Sequence, residues 1–175
     1  GLRPEEVESV RYGTSRSGMT LVGEPAEKRA NPQNVVDGQF SGPFVLSAAL
    51  ATGQMGWDSY RLLHDPTIRA LLPKVVCEHD EGVQAEFPRN MSGRVTLRAR
   101  GQEFSRMVVV PKGEPGNFLA EAELRAKFAG LADAVLGAER AAKLADAVLA
   151  IDRAPGVADL PRLSVPPAPM RLAGE

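Results

Sequence analysis

Any chemistry in this chain has few groups to start from. His64 and His79 are its only histidines and Cys77 its only cysteine. On a strand over 75–79, Cys77 and His79 would share one face. Two ligands do not make a zinc site, and no His-x-x-x-His, Cys-x-x-Cys or paired-carboxylate spacing accompanies them. They read as a partly buried thiol and a surface imidazole, and no metal is expected. Gly113-Glu114-Pro115-Gly116 is glycine-rich, but it lacks the Lys-Ser/Thr pair that a phosphate loop needs. Arg94, Arg98 and Arg100 line one face of a strand pattern. A solvated sheet face explains them best, and contact with an anionic substrate or partner is the lesser reading. Ser47 lies in an apolar run and is expected to bond back to a carbonyl one turn earlier. No nucleophile–base–acid set is present. Residue types and spacings alone reach a soluble α+β domain.

The element around which the chain is organised is the run from Asn31 to Gly53. A polar approach ends at Ser41, and from Phe44 to Ala51 only Ser47 is polar. Such a run predicts a buried helix. Ser41 is placed to cap it, Pro43 is tolerated in its first turn, and Gly53 is a stop. Upstream, Val7–Thr14 favours a strand, while Ser15–Ala30 reads as a loop. Downstream, Trp57–His64 fits a short helix. Asp65-Pro66 caps and starts a second one through Leu72.

A strand is predicted over Val75–His79. Glu81–Asn90 is mixed, with Val83, Ala85 and Phe87 alternating against Gln84 and Glu86. Gly93–Arg100 is the cleanest strand, with Val95, Leu97 and Ala99 on one face. It turns at Gly101-Gln102 into a partner strand from Glu103 to Val110. Glu121–Leu136 and Glu139–Ile151 carry helical apolar spacing, separated by Gly137. From Pro155 the chain turns proline-rich, and residues 164–175 are expected to be an extended tail. Clustered rather than alternating strands and helices give an α+β class, a two-layer sandwich of an antiparallel sheet and packed helices.

The totals fit one domain. At 175 residues the chain can bury a real core. A net charge of −1 provides no basic field for nucleic acid. No apolar run reaches the roughly 18 residues of a membrane span, so no membrane partner is expected. One cysteine excludes an internal disulfide and suggests a reducing, cytoplasmic compartment. The start at Gly1-Leu2-Arg3-Pro4 reads as a chain cut from something longer.

Asp37-Gly38-Gln39-Phe40-Ser41, then Pro43-Phe44 and a small-residue helix, resembles the signature of the C-terminal domain of the MmgE/PrpD family. Further stretches match in order. They are Leu2 to Val10, Asp65 to Leu71 with Lys74-Val75, Phe87-Pro88 with Val95-Thr96-Leu97 and Gly101, and Pro111 to Asn117 with Glu123-Leu124 and Lys127-Phe128. Together they span roughly residues 1–163. That family includes 2-methylcitrate dehydratases, which belong to propionate metabolism, cis-aconitate decarboxylases and iminodisuccinate epimerases.

The resemblance implies that this chain is the α+β lid domain over 1–163 of a homo-oligomeric, dimeric enzyme whose helical catalytic domain lies upstream. It implies a small carboxylate substrate, no cofactor, and lyase or isomerase chemistry by proton abstraction. No catalytic residue is assigned within the chain. Gln39, Ser41 and Phe44 are the candidates for facing substrate, with capping and packing of the buried helix the alternative. Many members have a Tyr at the position of Phe44, and a phenyl ring cannot move a proton. Ala120 stands where a helix-capping Ser is common, a loss of roughly 1 kcal/mol. The rival function is a non-catalytic structural or interaction module that self-associates through its exposed apolar face.

Overall fold

The computed structural model describes residues 2–166. They form two compact units, within 1–117 and 118–175. The first is built on a four-stranded sheet in the order β2-β1-β3-β4. The strands are β1 (Val7–Thr14), β2 (Val75–His79), β3 (Gly93–Ala99) and β4 (Gln102–Val108). β1–β3 and β3–β4 are antiparallel, as expected. β2 joins β1 in parallel, with Tyr12 opposite Cys77 and Thr14 opposite His79, so the sheet is mixed. Parallel pairing requires a crossover, and helices fill the 60 residues between 14 and 75.

Those helices begin within 15–30, where the polar, glycine-containing composition predicts a loop. α1 (Arg16–Gly18) is capped by the Ser15 hydroxyl, which accepts from the Gly18 N–H. A π-helical turn (Met19–Gly23) and α2 (Ala26–Arg29) follow. Turns this short show no apolar periodicity, which is why the pattern missed them. α3 (Val35–Gln39) leads into α4 (Gly42–Thr52), the expected buried helix. Ser41 caps α4, Pro43 lies in its first turn, and Gly53 ends it at φ 76°. A 3-10 helix (Trp57–Leu62) precedes α5 (Pro66–Leu71), and Asp65 caps α5 by accepting from the Thr67 and Ile68 N–H groups.

α4 is apolar all round because it packs on two sides. Phe44 and Ala48 join Leu63, Ile68 and Leu72 in one cluster. Leu46 and Leu50 turn to a second cluster with Leu71 of α5 and with Val7, Val10, Val75, Val95 and Leu97 of the sheet. Val95, Leu97 and Ala99 share the helix-covered side of β3, as their alternation predicts. The opposite sheet face carries ion pairs. They are Arg98–Glu8 at 3.0 Å, Arg11–Glu103 at 3.4 Å and Arg94–Asp80 at 2.8 Å. Three of the four residues 94, 98, 100 and 11 thus reach a carboxylate across that face, and Arg100 reaches Glu6 at its edge.

The mixed stretch after β2 is α6 (Glu81–Glu86), not an alternating strand. The Asp80 carboxylate accepts from the Val83 N–H and caps it, and Val83 is its one buried residue. The hairpin turn sits at Arg100-Gly101, one residue earlier than read. Both have positive φ, 53° and 70°, as in a two-residue type I′ hairpin.

The second unit contains α7 (Glu121–Leu136), α8 (Ala138–Leu149) and α9 (Asp159–Ser164). Leu136, Ala141 and Leu144 form its core, with Phe128, Ala132, Leu160 and Leu163 packed against them. Ala120 supplies no cap oxygen, but Glu123 accepts the Ala120 N–H at 2.8 Å, which is half of a capping box. Pro161 lies in the first turn of α9, where proline is tolerated. A helix of six residues with none buried shows no apolar periodicity, and the prolines around it predict an extended chain instead. Of the expected tail, Ser164 closes α9, and residues 167–175 lie outside the described residues.

Candidate functional site

The turn from Asn31 to Phe44 is held by side chains that its own sequence supplies. The Asn34 side-chain oxygen accepts from the Asp37 N–H at 2.9 Å and caps α3. In return the Asp37 carboxylate accepts from the Asn34 amide at 2.9 Å and the Gln33 N–H at 3.3 Å. The Gln33 amide donates to the side-chain oxygen of Asn31 at 2.8 Å and to its carbonyl at 3.0 Å. A short helix of five residues is marginal alone. This mesh, together with Pro32 buried beneath it, fixes its direction.

Gly38 presses the turn onto the core. A Cβ there would lie 2.9 Å from Leu63 Cδ1 and 3.3 Å from the Tyr60 ring. No larger residue fits without displacing the cluster. With Gly38 inward, its neighbour Gln39 is exposed, and Phe40 is 39% exposed.

The three candidate residues separate here. Gln39 alone is open to solvent. Ser41 is buried, and its hydroxyl is used twice: it accepts from the Phe44 N–H at 3.0 Å and donates to the Arg29 carbonyl. Phe44 is 0% exposed, with its ring stacked on Tyr60 at 5.9 Å. In this unit Ser41 and Phe44 therefore cap and pack the buried helix. Gln39 can donate through its amide NH2 and accept through its oxygen, which suits a carboxylate or hydroxyl group. None of the three side chains titrates near neutral pH.

The cysteine and the two histidines of the chain form no metal-binding group with carboxylates at the turn among the described residues. Cys77 lies against the start of α4, where a Cβ on Gly42 would come 2.8 Å from its sulfur. Burial pushes its thiol up to about 11, so it is a packing group and not a nucleophile at neutral pH. His64 is exposed. His79 Nδ1 lies 3.5 Å from Glu81 Oε1, and its Nε2 is buried without a hydrogen-bond partner. Among the described residues, no three His, Cys, Asp or Glu side chains gather as a metal site would require. No helix among them is long and apolar enough to cross a membrane.

One feature of the turn carried no sequence signal. Arg69, from α5, donates to the Asn31 side-chain oxygen and, at 3.5 Å, to the Pro32 carbonyl. The contact spans 37 and 38 residues of sequence, beyond what spacing reveals.

A family model, MmgE/PrpD C-terminal domain, matches residues 1–153. The chain belongs to this family. The match takes in the whole sheet, the Asn31–Phe44 turn, α4 and the first two helices of the second unit. No curated protein matches the chain significantly.

Proposed function

We propose that this MmgE/PrpD C-terminal domain is the α+β part of a cofactor-independent lyase or isomerase acting on a small polycarboxylate such as 2-methylcitrate. In this reading Gln39 faces substrate, and the proton-transferring groups come from outside the chain. What carries the proposal is the family match across the Asp37–Phe44 turn, whose outward residue is a bidentate hydrogen-bonding amide. The lack of an acid–base set around that turn supports a binding role rather than a catalytic one. A cytoplasmic location goes with the proposal, and the lone cysteine supports it.

The test compares the full-length gene product with the 175-residue chain. Dehydration of 2-methylcitrate, decarboxylation of cis-aconitate and epimerisation of iminodisuccinate are each assayed. Activity in the full-length protein alone supports the proposal, while activity in the short chain overturns it. In the full-length enzyme Gln39→Ala is expected to raise KM roughly 10-fold or more, the loss of one hydrogen bond to a charged group.

The second reading, a self-associating non-catalytic module, is favoured by one observation. β4 is an edge strand, and Phe104 on it is 53% exposed. An open edge with apolar side chains is a surface for strand pairing. Light scattering that finds the 175-residue chain monomeric at about 100 μM would remove that alternative.

A further inference from the structure

We propose that Arg69 is a positioning residue: it latches the 31–39 turn in the conformation that presents Gln39. The inference rests on the reading of Gln39 as a substrate contact. The latch itself rests on geometry alone.

Arg69 occupies a fixed place. The residue before it, Ile68, is 1% exposed in the core, and the Asp65 cap secures the helix that carries both. From there its guanidinium reaches two acceptors on adjacent residues, the Asn31 side chain and the Pro32 carbonyl. A planar guanidinium with a fixed fork of N–H groups suits two such acceptors, whereas a lysine ammonium is a single point charge. Neither acceptor is ionised, so the pairing is not an ordinary salt bridge. The turn's one carboxylate, Asp37, is held by Asn34 and Gln33 instead.

The bonds run in sequence from Arg69 to Asn31, Gln33, Asp37 and Asn34, and α3 ends at Gln39. The far end of the turn has its own anchors, Gly38 against Leu63 and Ser41 against the Arg29 carbonyl. Arg69 is therefore the only tertiary side-chain bond described for residues 31–34. Without it that end keeps its local mesh, the Asn31 N–H bond to the Lys28 carbonyl and the burial of Pro32.

Hydrogen exchange read by mass spectrometry on the 175-residue chain tests the latch. In Arg69→Met, amides of 33–39 should exchange roughly 10-fold faster or more, with β1 and β3 unchanged. Arg69→Lys should restore only part of the protection. Asn31→Ala, which removes the acceptor, should reproduce the effect should Arg69→Met not fold. Unchanged exchange in both Arg69→Met and Asn31→Ala overturns the proposal.

In the full-length enzyme, Arg69→Met should raise KM more than it lowers kcat. Its effect should not add to that of Gln39→Ala, because the two act through one contact. Full additivity also overturns it. A turn freed by Arg69→Met, in an enzyme indifferent to Gln39→Ala, would leave the latch standing and remove the substrate reading of Gln39.

Discussion

Arg94 Nε donates to Asp80 Oδ2 at 2.8 Å, while the other oxygen of Asp80 accepts the Val83 N–H at 2.9 Å. One carboxylate thus caps α6 and ties the end of β2 to β3. The backbone N–H of Val83 and the Arg94 guanidinium hold its carboxyl below the ordinary aspartate value. At the other end of the sheet, Arg100 and the backbone of Arg3 hold Glu6 down at about 2. A carboxylate whose folded pKa is depressed contributes stability above its unfolded pKa and loses it as pH falls through the folded value. Stability should therefore decline from about pH 4.5 towards pH 2. Denaturant midpoints measured across that range should fall less steeply in Glu6→Gln and in Asp80→Asn, each starting from a lower plateau at pH 7.

Phe44 poses a sharper question, because the resemblance implies a Tyr at this position in many members. Its ring is fully buried against Tyr60. Truncation to Ala should cost about 3–5 kcal/mol. Phe44→Tyr adds one hydroxyl to a site closed to solvent, and an unpaired buried hydroxyl costs about 1–3 kcal/mol. A lower thermal midpoint in Phe44→Tyr is expected. An unchanged or higher one would show that the phenol finds a partner in this pocket.

Much of this fold could be read from the sequence where local chemistry decides it. Ser41, Pro43 and Gly53 mark both ends of α4, and Asp65-Pro66 marks α5, because caps act within a few residues. The alternation of Val95, Leu97 and Ala99 gave β3 and its covered face. What escaped depends on long-range partners or on very short elements. The parallel pairing of β2 with β1 is a choice of neighbour that no local pattern records. α6 looked like an alternating strand because only Val83 of its residues needs the core, so the Asp80 cap was its one clear signal. At the candidate site the turn was legible as a unit, but the division of labour within it was not. Burial separates outward Gln39 from inward Ser41 and Phe44, and the Arg69 contact joins residues nearly forty apart.

Gly42 and Cys77 are fitted to each other across the start of α4. A Cβ at Gly42 would stand 2.8 Å from the Cys77 sulfur, with the Val22 carbonyl at 3.3 Å. Gly42→Ala should destabilise the chain by about 1–3 kcal/mol through overpacking. Cys77→Ala should recover part of that loss in the double variant, and a thermodynamic cycle measures the coupling. The same burial should make Cys77 slow to alkylate at pH 8, with rapid labelling only in denaturant.

The hairpin between β3 and β4 turns on a residue with a Cβ at positive φ. Arg100 sits at φ 53°, a region that costs a side-chain-bearing residue roughly 1–2 kcal/mol. Contacts to residues around the start of β1 hold it there. Its guanidinium reaches Glu6 at 2.7 Å, and the Gly101 N–H donates to Glu8 at 2.7 Å. Gly101→Ala places a second Cβ at positive φ with nothing to offset it, and should lower stability by about 1–2 kcal/mol. Arg100→Gly relieves the backbone but removes the Glu6 ion pair. Its net change should be small at low salt and should turn stabilising as salt screens the exposed pair. Urea midpoints at low and high ionic strength read this directly. A salt-independent loss in Arg100→Gly would show that the arginine holds the turn by packing rather than by charge.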